Sequence, residues 1–186
     1  EISNLTAEKI IRVYNDVHGI RSVLLRLSNI YGPRSQMIHS RFGVCNWFVR
    51  VALDNDTIKV FGDGSILRDF LYVDDCVGAM LASALVPEAY GEIFNVGSPI
   101  PVRFLELVEA IVQVSGEGHW EFAEFSPERK AQEPGDYYSD VTKIGRLVGW
   151  EPTTSLHDGL AKTIDYYRKY RDNYWTKSAK PVAAKV

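Results

Sequence analysis

The stretch RSVLLRLSNIYGPR, residues 21–34, decides the fold. Residues 21–28 are leucine-rich and bounded by the turn-forming YGPR, so they read as a buried strand of about eight residues. The strand ends in polar Ser28 and Asn29 before Pro33 directs the chain into a turn. Ligands of parallel sheets lie beyond the carboxyl ends of the strands, which places Asn29 to hydrogen-bond a substrate. The same residues also read as a loop-capping Asn with a turn and no ligand.

Outward from this strand, helical and strand-like periods alternate. Upstream, Leu5, Ile10, Val13, Tyr14 and Val17 recur at helical spacing, and Gly19 is the expected C-cap. Downstream, Phe42, Cys45, Phe48, Val49 and Ala52 mark a second helix. Residues 57–61 form a strand, 62–65 a turn and 69–73 another strand. Asp74 and Asp75 stand where helix N-caps belong, ahead of an apolar helix over 76–86. Residues 92–96 read as a strand, 104–115 as a helix closed by Gly116, and 119–125 as an edge strand. A long loop is expected over 126–140, a short helix over 141–150, and a final helix capped by Ser155, whose RKYRDN run is a solvated face. Strands alternating with helices predict an α/β fold with parallel strands.

The bulk properties exclude several classes. A chain of 186 residues can bury roughly 70% of its unfolded surface. A formal net charge of −3 argues against a general nucleic-acid partner. No run of 18 apolar residues is present, so no membrane span is expected. No basic-then-apolar leader opens the chain, and a cytoplasmic protein is expected. Cys45 and Cys76 read as buried small apolar groups in a reducing compartment. The four histidines are scattered, so no metal site is predicted.

The richest chemistry lies in TIKVFGDGSILRDFLYVDD, residues 57–75. A Gly-rich turn separates Phe61, whose face suits a base ring, from Arg68, whose planar fork suits a phosphate. Asp63 or Asp69 pairing with Arg68 in a surface ion pair is the alternative. Tyr137 and Tyr138 are candidates for a substrate pocket, whereas Tyr72, Tyr166 and Tyr167 are expected in the core or an interface.

Taken in order, SNLTAEK, RLSNIYGPR, VFGDGSILRDFLYVDD, EIFNVGS, GWEP and the DGL of the last helix resemble one family. Over about residues 1–175 the chain is similar to the C-terminal part of extended short-chain dehydrogenases/reductases. More narrowly, it resembles the NAD-dependent nucleotide-sugar epimerases and dehydratases. The resemblance implies a partial Rossmann-like parallel sheet (1–35 and 74–116) interleaved with a small α/β substrate lobe (36–73 and 117–175), then a flexible tail (176–186). It places Ser28 and Asn29 near the nicotinamide of NAD and the sugar diphosphate. Phe61 would lie against the base, Arg68 on a diphosphate oxygen, and Trp47 on the helix flanking the nucleotide. Many relatives carry a second phosphate-binding Arg in the region of EPGDYYSD, which has none here; Arg129, or Lys130 beside it, is the candidate substitute, and a solvated charge on a mobile loop is the alternative.

The family also carries a Tyr-x-x-x-Lys pair at the start of the first helix. The resemblance puts Asn4 at the lysine position and the tyrosine position just before Glu1. A free Tyr has a pKa near ~10, and each unit of lowering needs about 1.4 kcal/mol, which a neutral Asn does not supply. No G-x-G-x-x-G turn occurs in the sequence. The expectation is therefore a nucleoside-diphosphate-sugar-binding part of an epimerase or dehydratase, catalytically incomplete by itself. A non-catalytic binding module and a folded fragment without function are the alternatives. Family members pair through the first helix, so a homodimer or other self-association through residues 5–17 is also expected.

Overall fold

The computed structural model describes residues 2–40 and 43–176. In chain order, α1 (Ile2–His18) leads to β1 (Leu24–Leu27) and β2 (Asn29–Tyr31), and then to α2 (Val44–Leu53). Next come β3 (Thr57–Phe61), β4 (Leu67–Arg68), β5 (Phe70–Tyr72) and α3 (Val73–Leu85). The strands β6 (Ile93–Val96) and β7 (Val102–Arg103) precede α4 (Phe104–Ser115) and β8 (His119–Ala123). Three helices complete the chain: α5 (Pro127–Gln132), α6 (Thr142–Val148) and α7 (Leu156–Tyr170). Phe42 and residues 177–186, which include nearly all of the expected tail, lie outside the described residues.

The predicted α/β class holds. β1 runs parallel to β6, β2 to β5 and β3 to β8, while β4 and β7 pair antiparallel. One core packs α2, α4 and α7 around Val49, Ile58, Leu107, Ile111, Leu160 and Ile164. A second packs α3 and α6 against the sheet through Leu71, Cys76, Phe94, Ile144 and Trp150.

Four local expectations change. The strand expected over 21–28 is shorter and only half-buried, because the chain changes partner at Ser28. Leu24–Leu27 pair with β6, and Asn29–Tyr31 pair with β5. Arg26 faces outward and forks onto Glu8 of α1. Asp74 and Asp75 are not caps: β5 runs straight into α3, Tyr72 is the N-cap, and both aspartates sit in the first turn near the helix's positive end. The expected loop over 126–140 contains α5, started by Ser126 accepting from the Arg129 amide, with Pro127 as first helical residue. Finally, the RKYRDN run is anchored. Arg168 donates to the Ser115 carbonyl and pairs with Glu117, and Arg171 donates to the Leu53 carbonyl and to Asp54.

Candidate nucleotide-binding site

The β3–β4 turn is built by two glycines, Gly62 at φ 68° and Gly64 at φ 69°. A Cβ on Gly64 would lie 2.8 Å from Val60 and 2.9 Å from the Leu105 side chain, so the turn packs directly on α4. That close approach aims β3 along one wall of a cavity of about 500 Å³. Trp47 and Phe48 of α2 form part of the facing wall, and Phe104 and Phe125 extend it. Three predicted residues, Trp47, Phe61 and Arg129, therefore line one space.

Phe61 is not a bare platform. The Arg129 guanidinium stands over its ring at 4.1 Å, and the Phe125 ring lies 5.5 Å away, centre to centre. Trp47 is flanked by the Arg50 guanidinium at 5.2 Å. Arg50 itself is buried and donates to the carbonyls of Met37 and Ile38, so α2 holds the loop after β2 in place.

Arg68 lies behind the cavity lining with only 9% of its surface exposed. Its Nη1 donates to the carbonyls of Leu67 (2.8 Å) and Gly135 (2.5 Å), and its Nη2 to Glu133 Oε1 (2.5 Å). Neither aspartate offered by the sequence is its partner. Asp63 accepts from the amide and hydroxyl of Ser65, and the carboxylate of Asp69 accepts from the Ser98 amide. Glu133 went unread because an acidic residue before Pro-Gly-Asp carries no signal of its spatial partner. Phe125 was foreshadowed only as the end of an alternating strand.

Ser28 and Asn29 stand apart from this cavity. The Ser28 amide donates to the Val96 carbonyl at 3.0 Å, and Asn29 Nδ2 donates to the Asp69 carbonyl at 3.0 Å. The Ser28 hydroxyl and Asp69 Oδ1 are buried without a hydrogen-bond partner. Ser28 falls between the ladder that ends at Leu27–Val96 and the one that begins at Asn29–Phe70, so it and Asp69 stand next to the carboxyl ends of β1 and β6.

Other candidates take structural roles. Cys45 and Cys76 are free and buried, and burial pushes both thiols up, which keeps them protonated. Burial also raises Tyr31 and Tyr72 and pushes Tyr167 up to about 12. Tyr167 is fully buried, accepts from the Ser35 amide and donates to the Ser35 carbonyl, as a core tyrosine does. Tyr137 and Tyr138 are exposed and do not line the cavity. Asn4 lies exposed in the first turn of α1. Among the described residues, no group of His, Cys, Asp and Glu is disposed to hold a metal ion, and no helix is long and apolar enough to cross a membrane.

Comparison with known proteins matches residues 1–97 to the NAD dependent epimerase/dehydratase family. An uncharacterized UDP-glucose epimerase of Bacillus subtilis, YtcB, is 34% identical over 167 residues, which cover 89% of this chain and 50% of that protein. A dTDP-glucose 4,6-dehydratase of an Actinoplanes species is 35% identical over 164 residues, 88% of this chain and 48% of that one. Among solved structures, the UDP-glucuronic acid 4-epimerase of Bacillus cereus, in complex with UDP-glucuronic acid and NAD, superposes with a TM-score of 0.76 at 28% identity. The superposition covers 89% of this chain and 51% of that one. The chain thus spans about half the length of the relatives it matches.

Proposed function

Since the chain belongs to the NAD dependent epimerase/dehydratase family, we propose that these 186 residues form the nucleotide-sugar-binding part of an enzyme that epimerises or dehydrates a nucleoside-diphosphate sugar. The observation that carries this is the convergence of Trp47, Phe61 and Arg129 on one aromatic-walled cavity, with Arg68 joined to it through the lining residue Glu133. Aromatic walls suit a base, and a guanidinium pair suits the diphosphate that follows it. Phe61 and Trp47 bind the nucleoside, while Arg68 and Arg129 bind the phosphates.

Ser28 and Asn29 border the nicotinamide and the sugar. The partnerless hydroxyl of Ser28 fits such a role, because a polar group of the cofactor or sugar would satisfy it. NAD, when bound, supplies the hydride acceptor for oxidation of a sugar hydroxyl. No glycine-rich dinucleotide turn lies within these residues, so they would hold at most the nicotinamide end. Asn4 can hydrogen-bond but exerts no charge on a neighbouring phenol. The activity assigned to these residues is therefore binding, without turnover by themselves.

Isothermal titration of the chain with UDP, dTDP and UDP-glucose tests the reading. Binding is expected for the diphosphates, and R68A should weaken it roughly 10-fold or more, the cost of one charge-assisted contact. Absence of heat at millimolar ligand would overturn it.

A further inference from the structure

The cavity is lined by Glu133 and not by Arg68, although Arg68 is the group suited to a phosphate. Glu133, which does line it, holds its carboxylate 2.5 Å from Nη2 of Arg68. The other terminal nitrogen is committed to two backbone carbonyls. The charge of Arg68 is therefore already matched by an anion of the same chain, and that anion is the member of the pair that lines the cavity.

The backbone around this pair is pinned. The Tyr137 amide donates to the Leu67 carbonyl at 3.1 Å, and the Leu67 amide to Asp136 Oδ1 at 2.9 Å. Gly135, at φ 79°, turns the chain so that its carbonyl meets Arg68. The Glu133 side chain is the more accessible of the two: it keeps 26% of its surface exposed, against 10% for the side chain of Arg68.

We propose that Glu133 is an intramolecular competitor for the diphosphate at Arg68, and so sets the charge that a ligand must bring. This rests on reading the cavity as the nucleotide-sugar site. A diphosphate that joins the carboxylate at the same guanidinium meets the repulsion of a second anion. Whether it shares Arg68 or displaces Glu133, its gain there is reduced by the carboxylate already in place. A neutral nucleoside does not compete for Arg68 and leaves the pair intact. The site thereby favours ligands whose phosphates deliver more than one negative charge.

The test is titration of the chain, E133Q, E133A and R129A with UDP and with uridine. Both Glu133 variants should bind UDP roughly two- to fivefold more tightly, the range of a partly exposed charged pair, with uridine affinity unchanged. R129A, one turn earlier on α5, should move UDP affinity the opposite way. Equal UDP affinity in the parent chain and both Glu133 variants overturns the competitor role and leaves the binding reading intact. Equal tightening of uridine overturns it too, because Glu133 would then only obstruct entry. If no form binds UDP, the reading of the cavity falls, and this inference with it.

Discussion

Asp75 ties two distant stretches together through one carboxylate. Its oxygens accept from the Thr153 amide (3.1 Å), the Thr153 hydroxyl (3.0 Å) and the Thr154 amide (3.0 Å). Its carbonyl takes the Trp150 indole N–H at 3.1 Å. Burial pushes the acid up, but the hydrogen bonds from Thr153 and Thr154 outweigh it and hold the carboxyl below its usual range. A depressed folded-state pKa gives stability that is present above the unfolded value, near 4, and lost as pH falls through the folded one. D75N should therefore cost about 1–2 kcal/mol near neutrality, with the gap from the parent chain closing in acid. Urea melts at pH 7 and below pH 4 check this; a gap that stays constant with pH would assign the loss to packing. The sequence marked Asp75 as a helix-start residue, which is nearly right. That its side chain caps another loop depends on a contact across some 78 positions, which no local pattern encodes.

At the scale of elements, the end of α7 fastens onto α2. Trp175 is 5% exposed, donates to Asp54 at 3.0 Å, and lies between the guanidinium groups of Arg50 (5.6 Å) and Arg171 (5.5 Å). W175A should cost about 3–4 kcal/mol, as loss of a buried aromatic does, while UDP affinity persists because Trp175 lies outside the cavity lining. Denaturant midpoints alongside titration would separate the two effects. Elements with an apolar face were legible in the sequence: α2, α4 and α7 each carry a buried stripe that shows as helical spacing. α5 has no buried residue, so periodicity had nothing to detect, and only the Ser126-Pro127 start could have announced it. The candidate residues Phe61 and Arg68 were legible through the turn between them. Arg129 was also named, but its stacking on Phe61 and the pairing of Arg68 with Glu133 were not legible, because α5 folds back from beyond β8.

For the molecule as a whole, exposed apolar surface gathers on helices. Leu5, Val13, Tyr14 and Val17 of α1 are each more than half exposed, a stripe suited to self-association. A V13E/V17E double variant should shift sedimentation velocity profiles toward the monomer without moving the melting midpoint by more than about 1 kcal/mol equivalent, as surface changes rarely do. An unchanged profile would remove α1 as the contact. The pairing pattern of the strands has a further bearing, on how the chain reaches its native state. Leu24 finds Ile93, Asn29 finds Phe70 and Thr57 finds His119; even the antiparallel pair joins Leu67 to Arg103. None of these ladders is a hairpin, so no strand gains its neighbour until long intervening segments have been brought together. Loop-closure entropy is spent before any ladder rewards it. Refolding of this chain should accordingly be slow for its size, with the helices, which need only local contacts, able to form before the ladders.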